Sequence, residues 1–417
     1  MFGQLFVKEC RQIVKSLIFW LVVLGLVLDF STQLGGLELM PEPAEGQAEY
    51  GFHASTDEEV IMESTLGALV EEYYRQNYTT YPIGFYKSVT LSETDNRKIE
   101  EIIEKTTGLH GMEEVEKAVE DWYAEQEPEN GQIMMSSLML KPVEGLIYEK
   151  FIELMDEADD ILGGGSKYGD GYRETNAQVP MTYEEALEEY QMLVEKDKLT
   201  GGYARLFSDY MVIFLGILPV FLAVTRGLRD RRAQMQELIY TRKGSSIVIV
   251  SSRYFAMLAM LIVPILALSV IPLTQCIKYG NAAGISVDLF AFVKYSFGWL
   301  VPTIMIALAV GMFLTELTDT AAAVLVQGAW WFVSVFSGVN TLDGGMYGWN
   351  LAPRHNTELN WSGYHNGFAQ LAANRIFYAA FALVLLALTA FVYSQKRKGR
   401  LVIRGKILAD RKNKSKA

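Results

Sequence analysis

The side chains that could bind a metal ion or act in acid–base catalysis are few, and no motif groups them. The four histidines, His53, His110, His355 and His365, are far apart, and neither an HExxH nor a CxxC motif occurs. His355 and His365 share one segment with Glu358, so one interpretation is a surface metal site. The other is a set of polar loop residues packed near lipid headgroups. The sequence alone leaves both open.

A second group of possible ligands is an acidic stretch around a glycine-rich turn. Asp156, Asp159, Asp160 and Asp170 offer oxygen ligands suited to Ca²⁺, but they do not follow the EF-hand pattern. A solvated acidic helix end is the alternative interpretation. The turn itself, 163–167 (GGGSK), lacks the spacing of a nucleotide-binding loop. Because no nucleophile stands with a base, we predict that the chain is not an enzyme and has no cofactor of its own.

The dominant feature of the chain is a set of apolar runs separated by charged segments. Half of its 417 residues are hydrophobic, and its net charge is −12. A transmembrane helix needs roughly 20 apolar residues. Six runs of about that length cover residues 13–30, 206–224, 254–273, 290–313, 321–339 and 376–393. We therefore predict an all-α polytopic membrane protein with six transmembrane helices, preceded by an interfacial helix at residues 1–12.

The charges between the runs predict which side of the membrane each segment faces. The connector between the second and third runs, residues 225–253, holds seven bases and two acids. Lys and Arg accumulate in short cytoplasmic loops, so we predict that the connector is cytoplasmic. The tail, 395–417, with ten bases and one acid, then lies on the same side as the N-terminus. The short 315–320 loop, with two acids and no base, is the exception. We predict a multi-pass protein of the plasma membrane with both termini in the cytoplasm.

Residues 31–205 form an acidic segment that this topology places outside the cytoplasm. It holds 38 acidic and 13 basic residues and contains no run of span length. Capping boxes at 56–59 and 182–185, with a weaker one at 92–95, predict helix starts, and Gly108 and Gly163 predict helix ends. We expect a mainly helical extracytoplasmic domain. Two further outer loops, 274–289 and 340–374, separate the spans from 254 to 394.

The predicted spans contain almost no charge. Asp29, Asp209, Lys294 and Arg375 stand near outer ends, where we expect them to reach water. Gln327 is the most central polar side chain, and it is either part of a translocation path or a link between helices. A cation channel or proton relay would line its path with carboxylates. The composition therefore favours an apolar or amphipathic cargo.

The connector also has the features of a docking element. It reads as a helix from Arg226 to Ile239 that ends with apolar Met235 and Leu238, before Gly244 breaks it. Such a helix, leaving and re-entering the membrane, would present a charged and apolar tip to a partner. The alternative is a basic loop that only fixes orientation and binds anionic lipid.

At the connector the chain resembles the permease subunits of type-2 ABC exporters. In that family a charged helix after the second span carries an acidic–basic cluster and then Glu-Leu-Leu, before a break and the third span. The segments 230–232 (DRR) and 237–241 (ELIYT) occupy those places here, and Arg253 stands where a base leads into the span. The segment 243–245 (KGS) replaces the family's usual proline break. Six spans, an interfacial N-terminal helix and a large outer domain also look like this family.

The resemblance implies a permease without catalytic activity that works with other chains. Its partners would be two copies of an ABC ATPase subunit that bind ATP and Mg²⁺, a second permease of the same or a sister kind, and the lipid bilayer, with no nucleic acid. The implied ATPase-coupling residues are Asp230, Arg231, Arg232, Glu237, Leu238, Ile239 and Thr241. The expected function is export of an amphipathic or apolar peptide, lipid or drug-like cargo. A sodium-efflux permease and a membrane-anchored receptor with an outer ligand-binding domain are the alternatives.

Overall fold

The computed structural model is mostly helical and divides into two compact units. It describes residues 1–47, 49–82, 86–125, 138–170, 172–173, 177–241, 244–336, 344–357 and 360–401. The membrane unit comprises 1–41, 189–338 and 344–417, and the acidic unit comprises 42–188 with 339–343. The predicted loop residue Glu358, the connector residues Arg242 and Lys243, most of the basic tail and the side chain of Glu237 lie outside the described part.

The acidic unit packs four helices around one apolar core. They are α3 (Glu58–Tyr74), α4 (Glu93–Thr107), α5 (Gly111–Glu125) and α6 (Tyr148–Leu162). Two short antiparallel pairs complete it: β1 (Phe52–Ala54) with β4 (Gln178–Pro180), and β2 (Tyr78–Thr80) with β3 (Lys87–Val89). α3 presents Leu66, Leu69 and Val70 to the core, whose members bury their apolar area against the neighbouring helices.

Local capping signals in the acidic unit are mostly confirmed. Ser92 accepts a hydrogen bond from the Asp95 backbone at 3.2 Å, and α4 ends at Gly108 with φ +75°. The Thr182 hydroxyl accepts from Glu185 N, and the Glu185 carboxylate accepts from Thr182 N, as a capping box requires. The first predicted box is shifted, because Asp57 rather than Thr56 caps α3.

Within the described residues of the membrane unit, three helices are long and apolar enough to cross a membrane. They are α11 (Ser246–Ala283), α12 (Ala291–Thr318) and α14 (Trp361–Arg397). Two bent pairs also pass this test together: α1 (Phe2–Val14) with α2 (Leu17–Gln33), bent by 68°, and α8 (Thr200–Leu215) with α9 (Leu218–Arg232), bent by 41°. In the part of the chain that the structure describes, three to five helical segments could therefore cross a membrane. Two shorter helices, α7 (Tyr183–Glu195) and α10 (Gln236–Tyr240), precede and follow α8 and α9.

The sequence predicts six spans, and the described residues contain three to five candidates. The fifth predicted span corresponds to α13 (Ala322–Phe336), and the last three residues of that prediction, 337–339, lie outside the described part. The first predicted span begins after the α1–α2 bend, at Leu17 rather than at Ile13. The second contains the break between Leu215 and Leu218, where Pro219 lacks the N–H that a continuous helix would use.

α9 and α12 pack closely because small residues face each other. A Cβ atom added to Gly311 would lie 2.6 Å from Ala223 Cβ and 3.2 Å from Val220 Cγ2, and one added to Gly227 would lie 2.8 Å from Thr315 Cγ2. Small residues allow transmembrane helices to approach in this way, so dispersion contacts extend along the pair. The α9–α12 contact therefore fixes the helix that leads into the connector.

We expect Gly311→Ala to destabilise the membrane unit by about 1–3 kcal/mol, because the added methyl group overpacks this contact. Gly328→Ala in α13 is the matched control, since its Cβ would meet nothing within 4 Å. The measurement is the thermal unfolding midpoint of the detergent-solubilised chain. Equal midpoints for the two variants would contradict the α9–α12 packing.

Candidate functional site

The connector forms a compact projection between two membrane helices. α9 ends at Arg232, the chain turns through Gln234 at φ +53°, and α10 (Gln236–Tyr240) follows before α11 begins. The Asp230 carbonyl accepts a hydrogen bond from Met235 N at 2.9 Å, which closes the turn. At the tip, the side chains of Met235 and Leu238 are 43% and 53% exposed. The projection therefore presents apolar surface flanked by basic residues.

The predicted coupling residues divide between the base and the tip of this projection. At the base, Asp230 is ion-paired with Arg253, and Arg231 Nη1 lies 3.2 Å from Asp319 Oδ2. Ile239 is half-buried and lines a cavity of ≈ 20 Å³. Arg232, Leu238 and Thr241 are exposed. The resemblance named one set of residues, but the structure separates those that anchor the connector from those that are free to meet a partner.

The base of the connector belongs to a network of ion pairs, which we call the connector cluster. Its members are Glu9, Arg226, Asp230, Arg231, Arg253, Glu316, Asp319 and Lys396. Arg226 pairs with Glu9 of α1, and Lys396 Nζ at the end of α14 lies 2.8 Å from Asp319 Oδ1. Most of these side chains are largely buried, so solvent screens the pairs less than it would on a surface.

The connector cluster explains the acidic loop that departs from the charge rule. Glu316 and Asp319 end α12, and their carboxylates meet Arg231 from the connector and Lys396 from the tail. Arg397 Nε also donates to Tyr240 O at 2.7 Å. Sequence reasoning missed these partners because they lie 77 or more residues apart along the chain. The connector cluster thus links α1, α9, α11, α12 and α14 by ion pairs.

Gln327 is fully buried and links two helices at the α8–α9 break. Val220 N donates to Ile217 O at 3.2 Å, which leaves the Gly216 carbonyl without its usual helical partner. Gln327 Nε2 donates to that carbonyl at 2.6 Å, and Trp331 Nε1 donates to Ile213 O at 2.7 Å. These contacts match the interpretation of Gln327 as a link between helices. A role in a translocation path stays a prediction.

Toward the other end of α14, several buried polar side chains contact the segment 344–357. We call them the loop cluster, and Asp209, His355 and Arg375 are among its members. Asp209 of α8 is 1% exposed; its carboxylate accepts from Arg354 Nη2 at 2.9 Å and from the backbone N–H groups of His355 and Asn356. The prediction that Asp209 reaches water is therefore wrong, because the loop returns between the helices and supplies its hydrogen-bond donors.

Arg375 lies in the same cluster and is also buried, contrary to the prediction. Its guanidinium donates to Thr303 Oγ1 at 2.7 Å and to Leu351 O of the loop at 3.4 Å. It also donates at 3.0 Å to the carbonyl of Trp299, which lies in a π-helical turn of α12 (Ser296–Leu300). Irregular turns of this kind free backbone carbonyls for such contacts. Asp29 is likewise buried, whereas Lys294 is exposed and pairs with Asp288 at 2.6 Å.

A third buried charge stands at the start of α8. Both terminal nitrogens of Arg205 contact the Asp197 carboxylate at 2.6 Å, and the guanidinium lies 4.7 Å from the centre of the Tyr364 ring. Planar, bidentate contact of this kind is the strongest geometry for an ion pair. It joins the segment before α8 to the first turn of α14, beside the loop cluster.

His355 is a buried histidine of the loop cluster, and its ring lies 2.9 Å from the Tyr347 hydroxyl through Nδ1. Burial, followed by the positive charge of Arg205, lowers its pKa to about 3. Asp209, Arg354 and Tyr364 are its other titratable neighbours. A histidine whose pKa is lower when folded stabilises the fold above its ordinary pKa, and this stability is lost as the pH falls toward 3.

We therefore expect acid to loosen the loop cluster. Between pH 6.5 and pH 5 the free energy of unfolding should fall by about 1.5 kcal/mol, because the histidine takes up a proton in the unfolded chain but stays neutral in the folded one. His355→Gln should remove this part of the pH dependence of the unfolding midpoint. His365→Gln, which replaces an exposed histidine, should keep the wild-type dependence. If His355→Gln retains it too, the buried ring is not its source.

The possible metal ligands do not come together in the described part of the chain. Among those residues, no group of three His, Cys, Asp or Glu side chains is placed to hold a metal ion. Asp156 pairs with Arg173 at 2.5 Å, and Asp159 Oδ1 accepts from Ser166 N at 2.6 Å across the glycine-rich turn. These carboxylates are thus used inside the acidic unit.

Comparisons were made with protein-family models, with curated proteins and with solved structures. None of the three finds a match to this chain.

Proposed function

We propose that this chain is the permease subunit of an ATP-driven exporter in the plasma membrane, with its connector and both termini in the cytoplasm. Two copies of a separate ATPase would dock on the connector tips of a permease dimer, formed with itself or with a sister chain. In this proposal α13 completes six crossings, and the acidic unit lies outside. The chain itself hydrolyses nothing, and ATP with Mg²⁺ belongs to the partner.

The observation that carries the proposal is the division of the connector into an exposed apolar tip and an anchored base. Met235 and Leu238 offer a small apolar surface to a partner, while Asp230 and Arg231 tie the base to α11 and α12. A projection that served only to orient the protein would not need this ion-paired base. A motor that pushed the tip would move several helices together.

The polar groups of the membrane helices bear on the chemical class of the cargo. Among their buried polar groups, Gln327 Nε2 donates to a neighbouring helix and Thr303 Oγ1 donates to the loop. A path for cations would need carboxylates exposed along it. This supports export of an amphipathic or apolar molecule, a peptide, lipid or drug-like compound, over sodium efflux.

Leu238→Arg tests docking directly. We expect a charge at the tip to reduce the amount of ATPase that co-purifies with the chain by at least about tenfold, as for a buried contact at the centre of an interface. Leu401→Arg is the matched control, because it places the same charge on an exposed leucine beyond α14. Equal retention of the ATPase by both variants would place the docking surface elsewhere.

A receptor is the second candidate, and one observation favours it: the acidic unit is a separate compact body with its own core. A receptor whose connector binds a signalling protein would also lose a partner through Leu238→Arg. The two are distinguished by the identity of that partner, since only the exporter requires a subunit that hydrolyses ATP.

A further inference from the structure

A basic groove lies where α1, α2 and α9 meet at the connector end of the membrane unit. It has a volume of ≈ 570 Å³ and is lined by Gln12, Lys15 and Ser16 on one side and by Thr225, Arg229 and Arg232 on the other. Lys15, Arg229 and Arg232 are exposed within it. The groove is separate from the tip of the connector, which is formed by Met235 and Leu238.

The charge of this groove is not balanced by acidic residues in the described part of the protein. Among the described residues, no carboxylate lies within 4.0 Å of the charged nitrogens of Lys15, Arg229 or Arg232, although Arg226 beside them is paired with Glu9. Arg229 donates only to the neutral amide oxygen of Gln12. Lys8 and Arg11 continue the basic row along α1 at helical spacing, so the local excess of positive charge favours an anionic ligand.

Apolar surface adjoins these bases. Val7 and Val14 are exposed on α1, one helical turn to either side of Arg11, while the opposite face of the helix buries Ile13 and packs against α11. Leu17 and Leu21 are exposed at the start of α2, the apolar helix of the bent pair. A free inorganic anion would use the bases alone. An amphiphile would use both the bases and the leucines, with its headgroup in the groove and its chains along α2.

The groove also lies at the 68° bend between Val14 and Leu17, which separates the basic stripe of α1 from the apolar helix α2. If α2 crosses the membrane, this bend places the groove at headgroup level. α2 starts after Ser16 without a side-chain cap, so its first N–H groups add positive partial charge beside Lys15. We propose that this groove binds the phosphate headgroup of an anionic phospholipid from the leaflet on the connector side. This lipid site does not rest on the exporter proposal, and of the predicted coupling residues of the connector it shares only Arg232.

The test uses the full-length chain purified in neutral detergent and a phosphatidylglycerol that carries a fluorophore on its acyl chain. Binding is measured in competition with unlabelled phosphatidylglycerol, with phosphatidylcholine and with glycerol phosphate. We expect phosphatidylglycerol to compete at least about tenfold better than phosphatidylcholine, and less strongly as salt is added. Glycerol phosphate, which has the headgroup without the chains, should compete poorly.

The double variant Lys15→Gln with Arg232→Gln should weaken phosphatidylglycerol binding by roughly 10- to 30-fold. Lys398→Gln with Arg400→Gln removes the same charge from exposed sites after α14 and should leave binding unchanged. Equal losses in the two double variants, or equal competition by the two lipids, would overturn the site. If glycerol phosphate competes as well as the lipid, the groove is a free-anion site, and the lipid proposal is wrong.

Discussion

Asp197→Asn is expected to lower the free energy of unfolding by about 3–5 kcal/mol, the largest effect that we predict for a single change. The Arg205 guanidinium is fully buried, and the Asp197 carboxylate is its bidentate partner at 2.6 Å. Neutralising the acid leaves a buried positive charge without a counter-ion, which costs far more than the ion pair itself contributes. The unfolding midpoint should fall by at least about 5 °C.

Glu195→Gln provides the matched control for this change. Glu195 is exposed two residues away and undergoes the same carboxylate-to-amide replacement. Its unfolding midpoint should stay within about 1 °C of wild type, as for a surface change. If Asp197→Asn and Glu195→Gln unfold at the same temperature, the buried ion pair does not hold the start of α8 in place.

Arg375→Met should release the segment 344–357 from the loop cluster. The change removes donors from Trp299 O, Thr303 Oγ1 and Leu351 O, and bonds to a charged donor contribute about 1.5–3 kcal/mol each. Opening of the segment should become roughly 10- to 100-fold more frequent. The frequency of opening is measured by trypsin cleavage after Arg354 under native conditions, followed by mass spectrometry. In the wild-type protein the Arg354 side chain is largely covered, so cleavage there requires opening.

The control for Arg375→Met is Lys294→Met. It removes a base from the same end of the membrane unit, but from an exposed ion pair with Asp288. Such pairs contribute little, so cleavage after Arg354 should stay at the wild-type rate. Equal cleavage in wild type and in both variants would show that Arg375 does not retain the segment.

The sequence predicted those features that neighbouring residues determine. Ser92 and Gly108 bound one helix, and the Thr182 capping box starts another, because these contacts span only a few residues. Hydropathy also identified where the apolar helices lie, since burial in lipid depends on composition over a short window. Hydropathy did not predict the 41° bend between α8 and α9, because a window average does not detect a local break in a helix.

Long-range pairing is what the sequence did not predict. Asp209 and Arg375 were expected to reach water, but they meet a loop whose residues are 145 positions away from Asp209 and about 25 from Arg375. Glu316 and Asp319 depart from the charge rule, and the structure shows that Lys396 and Arg231 lie beside them as counter-ions. In each case the partner is chosen by the packing of helices, which no local pattern records.

The central claim is that a separate ATP-hydrolysing subunit docks on the connector. The most direct measurement is to purify the full-length chain from the membranes of its native host under mild conditions and assay vanadate-sensitive ATP hydrolysis. The account predicts hydrolysis that co-purifies with the chain, arises from a second polypeptide and is lost with the Leu238→Arg variant but not with Leu401→Arg. A stable, folded complex that contains no ATP-hydrolysing subunit would contradict it.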